Sequence, residues 1–148
     1  MRTEDINIIP SLKALEFRPD DPKIYFTRGN IYLEHIRDIK LAMTDYDKAI
    51  LLDPLLNEAY CNRGICYSIR QNYSRALEDF NKSIDIKTED AIAYYNRGLT
   101  YSKLSETDKA REDWRKAYSL SGKKEKLKIK ALLNKNSITE DISFKIKR

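Results

Sequence analysis

Four glycines, four prolines, two cysteines and a single histidine are all that 148 residues contain. With so little Gly and Pro, and with ten tyrosines and four phenylalanines, the composition fits helices packed through aromatic contacts and not a disordered chain. No window approaches the roughly 20 apolar residues of a membrane span. Met1 to Asp5 show no basic-then-apolar leader pattern, so the reading is of a soluble, cytoplasmic protein. Cys61 and Cys66 make neither a CxxC redox motif nor a zinc pattern. Five residues span about 500° of helical rotation, so their side chains diverge and a disulfide between them is not expected. Cys66 reads as a small packing residue. His35 has no Cys or His partner nearby, and there is no Gly-rich phosphate loop or nucleophile elbow. The expectation is a protein that is not an enzyme and has no metal or cofactor.

Charge is abundant but uneven. Through residue 120 there are 19 Lys and Arg against 20 Asp and Glu; beyond it, nine against three. The net charge of +5 therefore belongs to the tail and says nothing about the partner of the body.

Self-similarity organises the rest. Tyr-x-x-Arg-Gly-x-x-Tyr occurs as Tyr25, Arg28, Gly29, Tyr32, again as Tyr60, Arg63, Gly64, Tyr67, and again as Tyr94, Arg97, Gly98, Tyr101. The glycines are 35 and then 34 residues apart. A second segment aligns Ala42, Tyr46, Ala49 with Ala76, Phe80, Ser83 and with Ala110, Trp114, Ala117. A mid-helix glycine costs about 1 kcal/mol against alanine, so its return in every copy implies close helix approach, with the second helix's aromatic residue filling the notch. The recurrent aromatic residues read as core and not as a base-stacking platform. Arg28, Arg63 and Arg97 recur in step with Asp45, Asp79 and Asp113, which predicts a ladder of ion pairs and not a phosphate-binding row.

These positions resemble the tetratricopeptide repeat. The resemblance implies an all-α, right-handed helical solenoid of three helix-turn-helix repeats at 22–56, 57–90 and 91–124. Residues 1–21 would be a partial repeat helix or N-terminal cap, with Ala14, Phe17 and Pro19 echoing Ala49, Leu52 and Pro54. Residues 125–148 would be a basic capping helix and tail. Three departures stand out: arginine in place of the family's leucine before each glycine, a proline near the end of the first repeat alone (Pro54), and one extra residue in that repeat. The extra residue is expected in the turn near Arg37 to Lys40. Asp21, Asn57, Asn72, Asp90 and Ser105 are the expected helix N-caps, and Gly122 the expected end of the last repeat helix. A helix over Lys123 to Asn134 should bury Leu127, Ala131 and Leu132, and Ser137 with Glu140 should start a short final turn.

Family members receive a peptide in a concave groove lined by the first helix of each repeat. Carried over, the resemblance implies groove residues Phe26, Asn30, Cys61, Asn62, Ile65, Ile69, Tyr95, Asn96, Leu99 and Lys103. Asparagine offers a donor and an acceptor, so Asn30, Asn62 and Asn96 either anchor a peptide backbone or satisfy their own neighbours. The implied role is a protein-interaction adaptor whose ligand is a protein or peptide of unknown identity. The clamp with which some members hold chaperone carboxylate tails is not expected, because Phe26, Ile92 and Asn96 stand where its cations are needed. Lys123, Lys124, Lys126, Lys128 and Lys130 form a basic stretch that is either a solvated face or a site for anionic partners. The competing reading is a nucleic-acid or ribosome-associated factor anchored there.

Overall fold

The computed structural model describes residues 3–134 and Lys147. Its elements are α1 (Thr3–Phe17), α2 (Pro22–Ile31), a π-helical turn (Tyr32–Ile36), α3 (Ile39–Leu52), α4 (Asn57–Ile69), α5 (Tyr73–Ile86), α6 (Ala91–Lys103), α7 (Thr107–Leu120) and α8 (Lys123–Asn134). There is no strand among the described residues, and no helix there is long and apolar enough to cross a membrane. The expected fold class holds: α2 pairs with α3, α4 with α5 and α6 with α7, and each pair stacks on the next. α1 packs on α2 and α8 on α7, so a helix lies against each end of the stack.

The glycine notch is real. A methyl group added at Gly29 would lie 2.7 Å from the Tyr46 ring, one at Gly64 2.9 Å from Phe80, and one at Gly98 2.6 Å from Trp114 Nε1. Those three aromatic side chains are fully buried, each flanked one turn away by a residue with no exposure on either side: Ala42 and Ala49, Ala76 and Ser83, Ala110 and Ala117. Small residues above and below let the ring reach the partner helix, and truncating such a ring costs about 3–5 kcal/mol.

Of the six repeat tyrosines, Tyr32, Tyr67, Tyr94 and Tyr101 pack against the buried core clusters from their edge. Tyr25, Tyr32, Tyr60, Tyr67, Tyr94 and Tyr101 are half-buried and flank the arginines. The Arg63 guanidinium carbon is 5.6 Å from the Tyr60 ring and 6.0 Å from that of Tyr67, and Arg28 and Arg97 repeat the arrangement. The arginine that replaces leucine is thus held by ring faces on both sides.

Helix starts agree with the sequence at Asp21, Asn72 and Asp90, whose side chains accept backbone N–H groups of their own first turns. Asp38 caps α3 in the same way. Two expected caps are corrected. Asn57 is already the first residue of α4, after Leu56, and its amide points to Asp90 instead. Ser105 precedes the cap position at Glu106 and takes a left-handed φ of 62°. Arg37 and Gln71 take the same conformation at 60°, so the turn between the two helices of each repeat carries one left-handed residue, and the turns between repeats carry none.

The extra residue of the first repeat is not in its turn. Helix α2 widens into the π turn at Tyr32–Ile36, and the Asp38 amide bonds back six residues to the Tyr32 carbonyl. The equivalent bonds in the other repeats, Asn72 to Tyr67 and Glu106 to Tyr101, reach back five.

At the far end α8 spans the expected Lys123–Asn134, but its buried face is Ile129 and Leu132, with Leu133 partly packed against the same cluster. Leu127 is 73% exposed and Ala131 also faces outward. Gly122 has no left-handed φ, so it is a plain connector and not a helix-ending cap. The turn expected at Ser137 and Glu140 lies outside the described residues. Cys61 and Cys66 are both free and buried, with Cys66 in the cluster of Leu33, Ala42 and Tyr46.

Candidate functional site

Three of the first helices bring side chains together around Lys147. Asn30 on α2 and Asn62 on α4 form an amide pair: Asn62 Nδ2 donates to Asn30 Oδ1 at 2.9 Å, which also accepts the Tyr46 hydroxyl at 2.8 Å. These bonds fix which way each amide faces. Asn30 Nδ2 and Asn62 Nδ2 both donate to the Lys147 carbonyl at 3.0 Å. Asn62 Oδ1 accepts the Lys147 N–H, also at 3.0 Å. One asparagine therefore satisfies the donor and the acceptor of one residue's backbone, as a neighbouring strand would.

The Lys147 side chain runs on to α6 and ends at the Asp90 carboxylate, to which Nζ donates. Asp90 is 4% exposed. Its Oδ1 caps α6 by accepting from Ile92 N at 3.1 Å and Ala93 N at 3.2 Å. Its Oδ2 also accepts from Asn57 Nδ2 at 3.0 Å and Ser83 Oγ at 3.4 Å. Asn57 and the α6 N-terminus converge on this carboxylate, while the Ser83 hydroxyl makes its shorter bond, 2.9 Å, to the Asn57 carbonyl. Burial pulls the Lys147 ammonium below lysine's usual range, and Asp90 is its direct counter-ion. Glu58, Glu89 and Lys87 rim the same cleft, whose volume is about 310 Å³.

The ten expected groove residues do not form one surface. Asn30 and Asn62 meet as described. Phe26 is half-buried with its ring 6.1 Å from that of Tyr46. Cys61 and Ile65 are buried among Ala76, Phe80, Ile84 and Ala93. Burial pushes the Cys61 thiol up to about 11. Tyr95 and Leu99 are buried with Trp114 and the α8 residues Ile129 and Leu132. Asn96 is fully buried, its Nδ2 3.8 Å from Cys61 Sγ. Ile69 and Lys103 are exposed at the far ends of α4 and α6. In the tail, Lys123, Lys124, Lys128 and Lys130 are exposed, while Lys126 is half-buried with Nζ 5.2 Å over the Tyr118 ring.

Asp90, Asn57 and Ser83 were not among the expected site residues. In the sequence Asp90 and Asn57 have the marks of helix caps alone. Ser83 carried a signal: it is the serine at a register where the other repeats have Ala49 and Ala117. Lys147 gave none, being one lysine in a basic tail.

Comparison with known proteins agrees with this architecture. Tetratricopeptide-repeat family models match residues 22–54, 58–89 and 91–124. No curated protein sequence matches. Among solved structures, a crystal structure of MamA superposes with a TM-score of 0.75 at 25% identity, covering 90% of this chain and 81% of that one. A second MamA crystal structure gives 0.70 at 25% identity, covering 83% and 67%. A MamA RS-1 ArsTM double mutant gives 0.69 at 20% identity, covering 79% and 65%, a likeness of fold alone. With the repeats matched in register over well over half its length, the chain belongs to the tetratricopeptide-repeat family, whose stacked helix pairs serve as protein-interaction scaffolds.

Proposed function

We propose that this protein is a non-catalytic adaptor that binds an extended peptide of a partner protein across α2, α4 and α6. The observation that carries this reading is the Asn30–Asn62 amide pair, which holds the backbone of a single residue by three hydrogen bonds. Backbone recognition of this kind takes any extended segment, and neighbouring side-chain contacts supply the selectivity. The α8 lysines support no second reading. A helix that buries Ile129 and Leu132 on one face needs a polar face opposite, and lysine serves there.

Selection of a random peptide library on the full chain and on Asn62→Ala, each checked by circular dichroism, tests the reading. The expected result is peptides that bind the wild type and lose about tenfold or more on Asn62→Ala, as two backbone bonds disappear. Peptides that bind both chains equally, or no enriched peptides at all, would overturn it.

A further inference from the structure

The Lys147 contact contains more than a backbone clamp. Peptide backbone is held at Asn30 and Asn62, yet the side chain of the held residue ends on a carboxylate that is itself buried and organised. Asp90 receives bonds from Asn57, Ser83 and its own helix N-terminus, and still offers Oδ2 to an incoming ammonium. A neutral side chain of the same length would leave that oxygen short of a cationic partner within the cleft.

Building on the adaptor reading, we propose that Asp90 is a lysine-selecting pocket. The partner's ligand is an extended peptide bearing a lysine, and the chain's own Lys147 occupies the same place as an intramolecular competitor. Two features of the cleft favour lysine. Its polar groups converge at one point, which suits a compact ammonium carrying three donors better than a planar guanidinium fork. Glu58 and Glu89 on its rim add negative potential at the mouth, against Lys87 alone. The competitor follows from position: Lys147 makes every contact the pocket offers, so a partner must displace it before binding.

The test uses a fluorescein-labelled peptide of residues 141–148 added to full-length chains and followed by anisotropy. Lys147→Ala should bind the peptide about tenfold or more tighter than wild type, because the resident tail keeps only its backbone bonds to Asn30 and Asn62 and loses its ammonium bond to Asp90. A second peptide carrying Met in place of Lys147 should bind that freed chain about tenfold more weakly than the lysine peptide. Adding Asp90→Asn, which keeps an oxygen to cap α6, should erase the difference between the two peptides. Equal binding of the lysine and methionine peptides to the freed chain overturns the pocket while leaving a backbone-reading groove intact. Failure of both peptides to bind the freed chain overturns the pocket and the groove together. Sedimentation of the wild type across concentrations covers the remaining arrangement: self-association abolished by Lys147→Ala would show the lysine reaching a second copy, and would overturn the intramolecular competitor. Because the methionine peptide alters no protein residue, the comparison stands even if Asp90→Asn impairs folding.

Discussion

The Arg63 guanidinium meets the Asp79 carboxylate in a fork of two parallel bonds, Nε to Oδ2 at 2.8 Å and Nη2 to Oδ1 at 2.7 Å. The remaining nitrogen, Nη1, crosses to Asp47 in the preceding repeat at 2.6 Å. Arg97 makes the same fork with Asp113 and crosses to Asn81 at 2.7 Å. Each of these arginines thus closes its own helix pair and ties it to the pair before.

Removing Arg63 should be costly for the first of these links and mild for the second. Asp79 is buried, and stranding its charge costs about 3–5 kcal/mol; Asp47 is 59% exposed, where a pair is worth about 0–1 kcal/mol. Urea unfolding of Arg63→Ala should therefore show a loss of roughly 3 kcal/mol, and Asp47→Ala less than about 1 kcal/mol. Similar losses for the two variants would show that the inter-repeat arm, and not the fork, carries the stability.

Gly98→Ala pits propensity against space. Alanine gains about 1 kcal/mol over glycine inside a helix. Its methyl would sit 2.6 Å from Trp114 Nε1, 2.8 Å from Cδ1 and 3.1 Å from the Ala110 carbonyl oxygen. Trp114 is fully buried and donates to the Tyr95 carbonyl at 3.3 Å, so it has no room to yield. Overpacking at about 1–3 kcal/mol or more should win, and the melting temperature should fall. A melting temperature equal to or above wild type would mean that α6 and α7 separate at no cost.

The buried thiols set an alkaline limit. Burial raises Cys61 to about 11 and Cys66 to about 12, and it raises the Tyr46 phenol as well. A raised pKa in the folded state means that the fold holds these protons more tightly than the unfolded chain does. The stabilisation is complete below the ordinary thiol value of 9.0 and disappears as pH climbs through about 11 for Cys61. The melting temperature should therefore decline between those values. At pH 8 the folded Cys61 carries about a hundredfold less thiolate than a free cysteine, so disulfide-exchange reagents should label the native protein only as fast as it opens. Labelling at the rate of an unfolded control would contradict the burial of both thiols.

The sequence displayed whatever repeats and concealed whatever occurs once. Gly29, Gly64 and Gly98, the aromatic residues that fill them, and the arginine–aspartate pairs each appear three times in register, and every copy constrains the other two. Asn30, Asn62 and Asn96 stand out in the sequence as polar side chains on the first helices, Asn30 one position after its glycine and the other two each two before theirs. The residue that Asn30 and Asn62 hold is separated from them by 117 and 85 positions, with no pattern linking it to either. The caps at Asn57 and Ser105 failed by one residue for a local reason. The side-chain types were right for a cap, but a left-handed residue in one turn and a tertiary partner at Asp90 moved the helix starts. Leu127 failed because α8 presents Ile129 and Leu132 to α7, a rotation set by the surface it lands on and invisible in α8 itself.

The wide turn at Tyr32–Ile36 has a consequence for how such arrays tolerate change. An added residue normally rotates everything downstream by about 100°, enough to swing an apolar face into water. Here the surplus is swallowed inside the helix before Arg37, and Ala42, Tyr46 and Ala49 arrive in phase with their counterparts two repeats on. Insertions in this architecture are thus not confined to loops. The longer repeat keeps the same buried face on its second helix as the two shorter ones.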